Sequence, residues 1–338
     1  MSRILAVAGV TFRKYRFDGD SSIEPKMKRG EYMDVLCLGI FVVDVIGRPI
    51  DRFPEKGQLE LFDELEMHTG GNANNTAIGL AKLGISAGAM GKIGQDGFGD
   101  FVLQTLEKNS VDAHGIVRDP KANTSVTFVV VASDGERSFL HYMGANAAFS
   151  EADIDLELIK KSRILHVAGS FVMPNFDGEP TANILRRAKE AGVITSLDTV
   201  WDVSGNWLRT LEPCLPYVDI FLPSIEEAKQ VTSLDSPPDI AAFLLDYGIQ
   251  TVGLKMGKRG SYVRTKDEEL YVPAYPANVV DTTGAGDAYI AGFLAGTKMG
   301  WDLKRTAELA AATGAACVTA IGTTTGIQNL EETLRLVQ

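Results

Sequence analysis

The run DTTGAGDAYIAGFLAG, residues 281–296, leads a turn of small residues straight into an apolar helix and sets one carboxylate, Asp287, at the mouth of that helix. Gly284, Ala285 and Gly286 let the backbone come close to a ligand, and their amides lie at a helix N-terminus, where the macrodipole favours an anion. Asp287 can take the proton of an attacking hydroxyl while those amides stabilise charge on a transferring phosphoryl group. One short segment thus supplies both a base and an anion hole. A bare GxGD is more simply an Asp-capped helix, but the whole run makes the chemical reading the stronger one.

Three further segments carry chemistry. In GGNANN, residues 70–75, paired glycines including Gly71 allow a tight backbone before a helix, and Asn75 offers amide donors and acceptors to a polyol. Asp44 ends the strand-like GIFVVD, where its carboxylate can accept two hydroxyls. KMGKRG, residues 255–260, reads as a strand ending in a glycine turn, with Lys255, Gly257 and Gly260 as its notable residues. GLKMGKRGS is no Walker P-loop: it has three residues, not four, between its first Gly and GK, and Arg259 where Ser or Thr should hold Mg²⁺.

These segments must be positioned by a fold, and composition limits which. A chain of 338 residues with 45% hydrophobic content buries a substantial core, as one large domain or two ordinary ones. The net charge of −11, with no long basic stripe, argues against a nucleic-acid partner or an anionic membrane surface. A phosphate ligand then needs local help from amides, a few cations or a metal. Cys37, Cys214 and Cys317 are odd in number and far apart, which excludes a disulfide framework or a CxxC site and suits a reducing, cytoplasmic setting. His68, His114, His141 and His166 never fall at metal-ligand spacing. The apolar residues 4–10 are short and run into Arg13, Lys14 and Arg16, so they are not read as an export signal. No apolar run approaches the ~20 residues that span a bilayer.

Residues 1–32 form a mixed extension, read as an added hairpin, a partner-binding arm or an upstream start, and the main domain begins at Met33. Strand-like segments at 35–43, 87–93, 164–167, 194–197, 220–222 and 251–254 alternate with helical ones at 73–83, 97–108 and 181–191, and helices at 288–297 and 303–320 close the chain. That alternation predicts an α/β fold, a mainly parallel central sheet with helices on both faces. The intervals 45–68 and 124–142 break it with short segments that read as antiparallel strands, expected to form a small sheet serving as a lid or a homodimer surface.

The motifs also carry a resemblance. DTTGAGDAYIAGFLAG is similar to the C-terminal signature of the ribokinase-like PfkB carbohydrate kinases, and GGNANNTAIGLAKLG, residues 70–84, to their N-terminal one. With GKIGQDGFG at 91–99 and KMGKRG, the similarity runs in the family's order from about Met33 to the C-terminus, one kinase domain over 33–338. The resemblance implies an ATP- and Mg²⁺-dependent kinase in which Asp287 is the general base and Gly284, Ala285 and Gly286 form the anion hole. It implies Asp44, Gly71 and Asn75 at the sugar, and Lys255, Gly257 and Gly260 at the nucleotide. It implies Asp281 and Thr283 where many relatives hold a monovalent cation such as K⁺ with backbone oxygens, helped by the loop 320–326. Glu227 would serve Mg²⁺ through water; here LPSIEEA has Ser224 where the family usually has Asn, and the same Ser224–Glu227 pair reads equally as a helix capping box.

Relatives that act on sugar acids tend to place an arginine just before the residues matching GANAAF; this chain has Met143 there and Arg137 farther back, so a neutral sugar such as fructose or ribose is expected over 2-keto-3-deoxygluconate. A nucleoside is the other acceptor considered, with Phe171, Met173 and Phe176 as stacking surfaces. Two readings compete from other classes. A catalytically silent binder of nucleotide and sugar is suggested by Ser224 and the extension, and opposed by Asp287. A dinucleotide oxidoreductase fails because no GxGxxG follows the first strand.

Overall fold

Leu36 and Leu38 pack into one apolar cluster while Val35 and Cys37, their neighbours in strand β1 (Met33–Gly39), pack into another. Successive side chains of a strand point to opposite faces, so β1 must lie between two helical layers. The computed structural model that shows this describes residues 33–337; the extension 1–32, with the roles expected of it, and Gln338 lie outside the described residues.

Chain order after β1 is β2 (Val42–Arg48), β3 (Glu64–Gly70), β4 (Ala87–Gly94), β5 (Asp112–Asp119), β6 (Ser125–Val131), β7 (Arg137–Tyr142), β8 (Ser162–Ser170), β9 (Ile194–Thr199), β10 (Ile220–Phe221), β11 (Thr251–Lys255), β12 (Ser261–Arg264) and β13 (Glu269–Val272). The main sheet has the order β13-β12-β11-β10-β9-β8-β1-β4-β5. Its pairs are parallel from β5 to β11, and β12 and β13 are added antiparallel at one edge. The order reverses at β1, which lies between β8 and β4; ligands in such sheets bind beyond the carboxyl ends of the strands near that reversal.

The expected single strand over 35–43 is two strands in two sheets. Gly39, at φ +151°, ends β1 with its α-carbon so close to the Ala168 carbonyl oxygen that a side chain would begin 1.9 Å from it. The chain leaves the main sheet there, and Asn146 bridges the break: its Oδ1 accepts from the Phe41 N–H at 3.2 Å and its Nδ2 donates to the Phe41 carbonyl at 3.1 Å. An asparagine of GANAAF thus stands in for a strand partner.

The second sheet has the order β3-β2-β6-β7. Antiparallel pairing, expected throughout, holds for β2 with β3 and for β6 with β7, but β2 and β6 are parallel. The reason is polarity: β2 continues from β1 and β6 from β5, both parallel strands of the main sheet, so both enter the small sheet in the same direction. Leu65, Met67, Phe139, Leu140 and Tyr142 are exposed on it.

The amphipathic segments are helices close to their expected limits, Asn72–Lys82, Gly97–Lys108 and Glu179–Glu190, followed near the end by Ala285–Lys298 and Leu303–Cys317. The last stops short of residue 320 because the Val318 carbonyl turns away to accept the N–H groups of Val280 (2.8 Å) and Asp281 (3.2 Å). Among the described residues no helix is long and apolar enough to cross a membrane.

Small residues bring the two motif-bearing helices together. A side chain begun at Gly79, in the helix Asn72–Lys82, would lie 2.8 Å from the Cβ of Ala291 in the helix Ala285–Lys298. Gly79→Val should therefore cost about 1–3 kcal/mol by overpacking, read as a lowered denaturation midpoint at unchanged slope. Wild-type stability in that variant would show that the helices are free to part.

Candidate active site

Asp287 lies in the first turn of the helix Ala285–Lys298 and is 7% exposed. Its two carboxylate oxygens are each held by an asparagine of the GGNANN helix: Asn72 Nδ2 donates to Oδ1 at 2.9 Å and Asn75 Nδ2 to Oδ2 at 2.8 Å. Burial pushes the carboxyl up, to about 6, against the pull of the Asn75 hydrogen bond, the Lys255 ammonium and the Asn72 hydrogen bond; the Glu227 carboxylate adds to the rise. A carboxylate so placed is ionised at neutral pH yet basic enough to accept a hydroxyl proton. Asn75, expected at the sugar, here spends its amide on Asp287, and its Oδ1 accepts from Thr323 Oγ1 at 2.8 Å. Asn72 went unnoticed in the sequence, though GGNANN displays it one turn before Asn75.

The turn preceding the helix rests on the loop that follows Cys317. Gly284, at φ +79°, is the N-cap, and a side chain there would begin 2.4 Å from the Thr323 carbonyl oxygen. Of the three amides expected in the anion hole, that of Ala285 turns back to the Thr282 carbonyl at 3.3 Å. A methyl at Gly286 would lie 3.6 Å from Lys255 Nζ, so the mouth of the helix faces an ammonium group.

Asp281 and Thr283, expected at a monovalent cation, are engaged by the chain itself. The Asp281 carboxylate accepts from the Thr283 N–H (3.0 Å), the Thr283 hydroxyl (2.7 Å), the Gly322 N–H (3.1 Å) and Arg137 Nη1 (3.0 Å). Those hydrogen bonds outweigh desolvation and hold it below the usual carboxylate range. Arg137 Nη1 also donates to Thr283 Oγ1 at 3.0 Å. These contacts engage the two side chains, whereas the expected cation contacts are backbone oxygens.

Lys255, at the end of β11, forms a 2.8 Å ion pair with Asp198, which is 1% exposed near the end of β9. Burial pushes Asp198 up, to about 7, while the Lys255 ammonium pulls the other way. Asp198 is the second residue that sequence reading missed; an acid ending a buried parallel strand was the available signal. Beyond Lys255, Gly257 (φ +57°) has open space where a side chain would be, whereas Gly260 is held against the Val272 carbonyl oxygen. The segment expected at the nucleotide therefore keeps one open glycine and one needed by its own hairpin.

Ser224 and Glu227 form the capping box that the sequence offered as an alternative: Glu227 N–H donates to Ser224 Oγ at 3.3 Å and Ser224 N–H to Glu227 Oε2 at 2.9 Å. Thr199 Oγ1 donates to the same Oε2 at 3.1 Å. Among the described residues no three acidic, His or Cys side chains gather to hold a metal. A Mg²⁺ here would be held largely by substrate phosphates, as is usual for that ion, with Glu227 reaching it through water.

On the acceptor side, Asp44 lies in β2 over Gly70, where a side chain would begin 2.3 Å from its Oδ2. Burial raises its carboxyl, opposed by a hydrogen bond from Thr127. Gly71 caps the GGNANN helix beside it. Met173 and Phe176 are fully buried, and Phe176 packs on Phe149 at 5.0 Å. They are core, not a surface for a base; Phe171 alone is partly exposed, edge-on to Trp207 at 5.3 Å.

The sequence matches the pfkB family carbohydrate kinase over residues 33–330. It is 32% identical over 271 residues to the "Probable fructokinase-6, chloroplastic" of Arabidopsis thaliana, covering 77% of this chain and 69% of that one. It is 29% identical over 308 residues to a 5-dehydro-2-deoxygluconokinase of Clostridium beijerinckii, covering 87% and 89%. Among solved structures it superposes on the fructokinase of Xylella fastidiosa with bound ATP at a TM-score of 0.78, 28% identity and coverage of 90% and 98%. An E. coli protein described as a ribokinase II, in complex with ATP and Mg²⁺, matches at a TM-score of 0.78, 26% identity and coverage of 90% and 99%. The chain belongs to the pfkB family of carbohydrate kinases, phosphotransferases with an alcohol group as acceptor, and carries their ribokinase fold.

Proposed function

We propose that the chain transfers the γ-phosphoryl group of ATP to a hydroxyl of a neutral sugar such as fructose or ribose, with Asp287 as general base. The observation that carries this reading is the Asp287 carboxylate held by Asn72 and Asn75 at a helix N-terminus that faces Lys255. Asp44 accepts sugar hydroxyls and sets the reacting one toward Asp287. As the acceptor oxygen bonds to the γ-phosphorus, Asp287 takes its proton and the bond to the β-phosphate oxygen breaks, releasing ADP. The amides of Gly284 and Gly286, with the Lys255 ammonium, oppose the charge that develops on the phosphoryl oxygens. Asp198, beside Lys255, fixes the ammonium there. Gly257 and Gly260 shape the turn that receives the nucleotide, and Mg²⁺ supplies neutralising charge to its phosphates.

Two observations support a neutral acceptor. The Arg137 guanidinium, the arginine the sequence offers before GANAAF for a substrate carboxylate, is occupied by Asp281 and Thr283. Met173 and Phe176, two of the three groups that favoured a nucleoside, are core. We read residues 33–338 as one kinase domain whose segments 45–68 and 124–142 form a lid, the exposed apolar side chains of the small sheet serving a homodimer.

Asp287→Asn should cut turnover by about two to four orders of magnitude with nucleotide affinity retained; full turnover in that variant would remove the base. Because the carboxyl must be ionised to accept a proton, kcat/KM should rise with pH through about 6 and level above it, an acid limb that Asn72→Ala should shift upward. ADP release assayed over fructose, ribose, 2-keto-3-deoxygluconate and nucleosides should favour a neutral sugar, with little hydrolysis in its absence. Thermal shifts with ATP and sugars but no product from any acceptor would identify a silent binder instead.

A further inference from the structure

The loop after Cys317 and the 281–283 turn it supports are held by three side-chain donors. Lys82, the last residue of the GGNANN helix, donates from Nζ to the carbonyls of Thr324 (2.7 Å), Ile327 (3.3 Å) and Thr325 (3.4 Å), which uses all three hydrogens of its ammonium. Cys317 Sγ lies 3.1 Å from the Thr323 carbonyl oxygen and 3.7 Å from that of Thr283. Arg137, at the start of β7, gives Nη1 to Asp281 and Thr283.

This loop governs the catalytic groups. The Thr323 carbonyl is the floor under Gly284, and the Thr323 hydroxyl holds Asn75, which holds Asp287. Whatever fixes residues 323–327 and 281–283 therefore fixes both the anion hole and the base. An alkali-metal ion does such work by collecting several carbonyl oxygens around itself. Here the Lys82 ammonium takes the carbonyl oxygens of Thr324, Thr325 and Ile327 and the Cys317 thiol faces those of Thr323 and Thr283, while Arg137 holds the side chains of Asp281 and Thr283 on the opposite flank.

We propose that Lys82 on this loop and Arg137 on the 281–283 turn are resident cations, positioning residues that let the enzyme reach full turnover without an alkali-metal ion. The inference rests on the kinase reading above only for its activity readout. An ammonium and a guanidinium tethered in place cannot be diluted away, so activity would be indifferent to the monovalent ion, unlike that of a kinase built on an exchangeable one.

The experiment compares potassium chloride with tetramethylammonium chloride at equal ionic strength. Wild-type turnover and ADP affinity, the latter by calorimetry, should be the same in both salts. Lys82→Met and the more exposed Arg137→Gln should lose about tenfold or more of turnover in tetramethylammonium and recover part of it in potassium, whereas Arg137→Lys should keep most of the activity. Melting temperature adds a readout independent of turnover: potassium should raise it in the two neutral variants and leave the wild type unchanged. Strong potassium activation of the wild type, rubidium anomalous density between Thr283 and the loop 320–326, or variants whose losses ignore the cation would each overturn the proposal. Should no acceptor be phosphorylated, the kinase reading fails, while the melting, rubidium and ADP-binding arms still decide the question of the cations.

Discussion

The grip of Asn72 and Asn75 on the Asp287 carboxylate is the contact on which the rest of the site depends. A buried carboxylate without partners would be driven neutral and lose its use as a base. Two amide donors keep it ionised near neutral pH, and they come from a helix more than two hundred residues earlier in the chain. Bringing them there requires the helices Asn72–Lys82 and Ala285–Lys298 to touch. Gly79 against Ala291 makes that approach, and the apolar cluster on that face of the sheet holds it.

Around this contact the structure resolves a problem of charge. The chain carries a net −11 and must receive a polyphosphate. It does so by spending few cations where they count. Lys255 stands at the mouth of the catalytic helix, Arg137 on the turn before it and Lys82 beneath the loop that supports it, each tied to oxygens of the chain. Local placement, not overall charge, decides what the site attracts, because a short-range field in a partly buried cleft is little screened by solvent.

The sequence made much of the fold legible where one period dominated. Helices with apolar faces, such as Gly97–Lys108, were found at their limits because 3.6-residue periodicity is a local property. Residues 35–43 misled because an apolar run does not reveal that Gly39 lies against Ala168 and turns the chain into a second sheet. The parallel pairing of β2 with β6 was hidden for a similar reason: strand direction is inherited from β1 and β5, which are far away in sequence.

By itself the sequence determined the helix that carries Asp287 at its mouth, since glycines before an acid at a helix start dictate a local geometry of amides and carboxylate whatever the surroundings. It also determined the class of reaction, through motifs whose order survives as text. Only the tertiary structure decided what those residues touch. It gave Asn75 to Asp287, Arg137 to Asp281, Lys255 to Asp198 and Lys82 to the loop after Cys317. Each is a contact between segments brought together by burial of the two apolar faces of one sheet, and such burial fixes partners by shape and packing that no local pattern records.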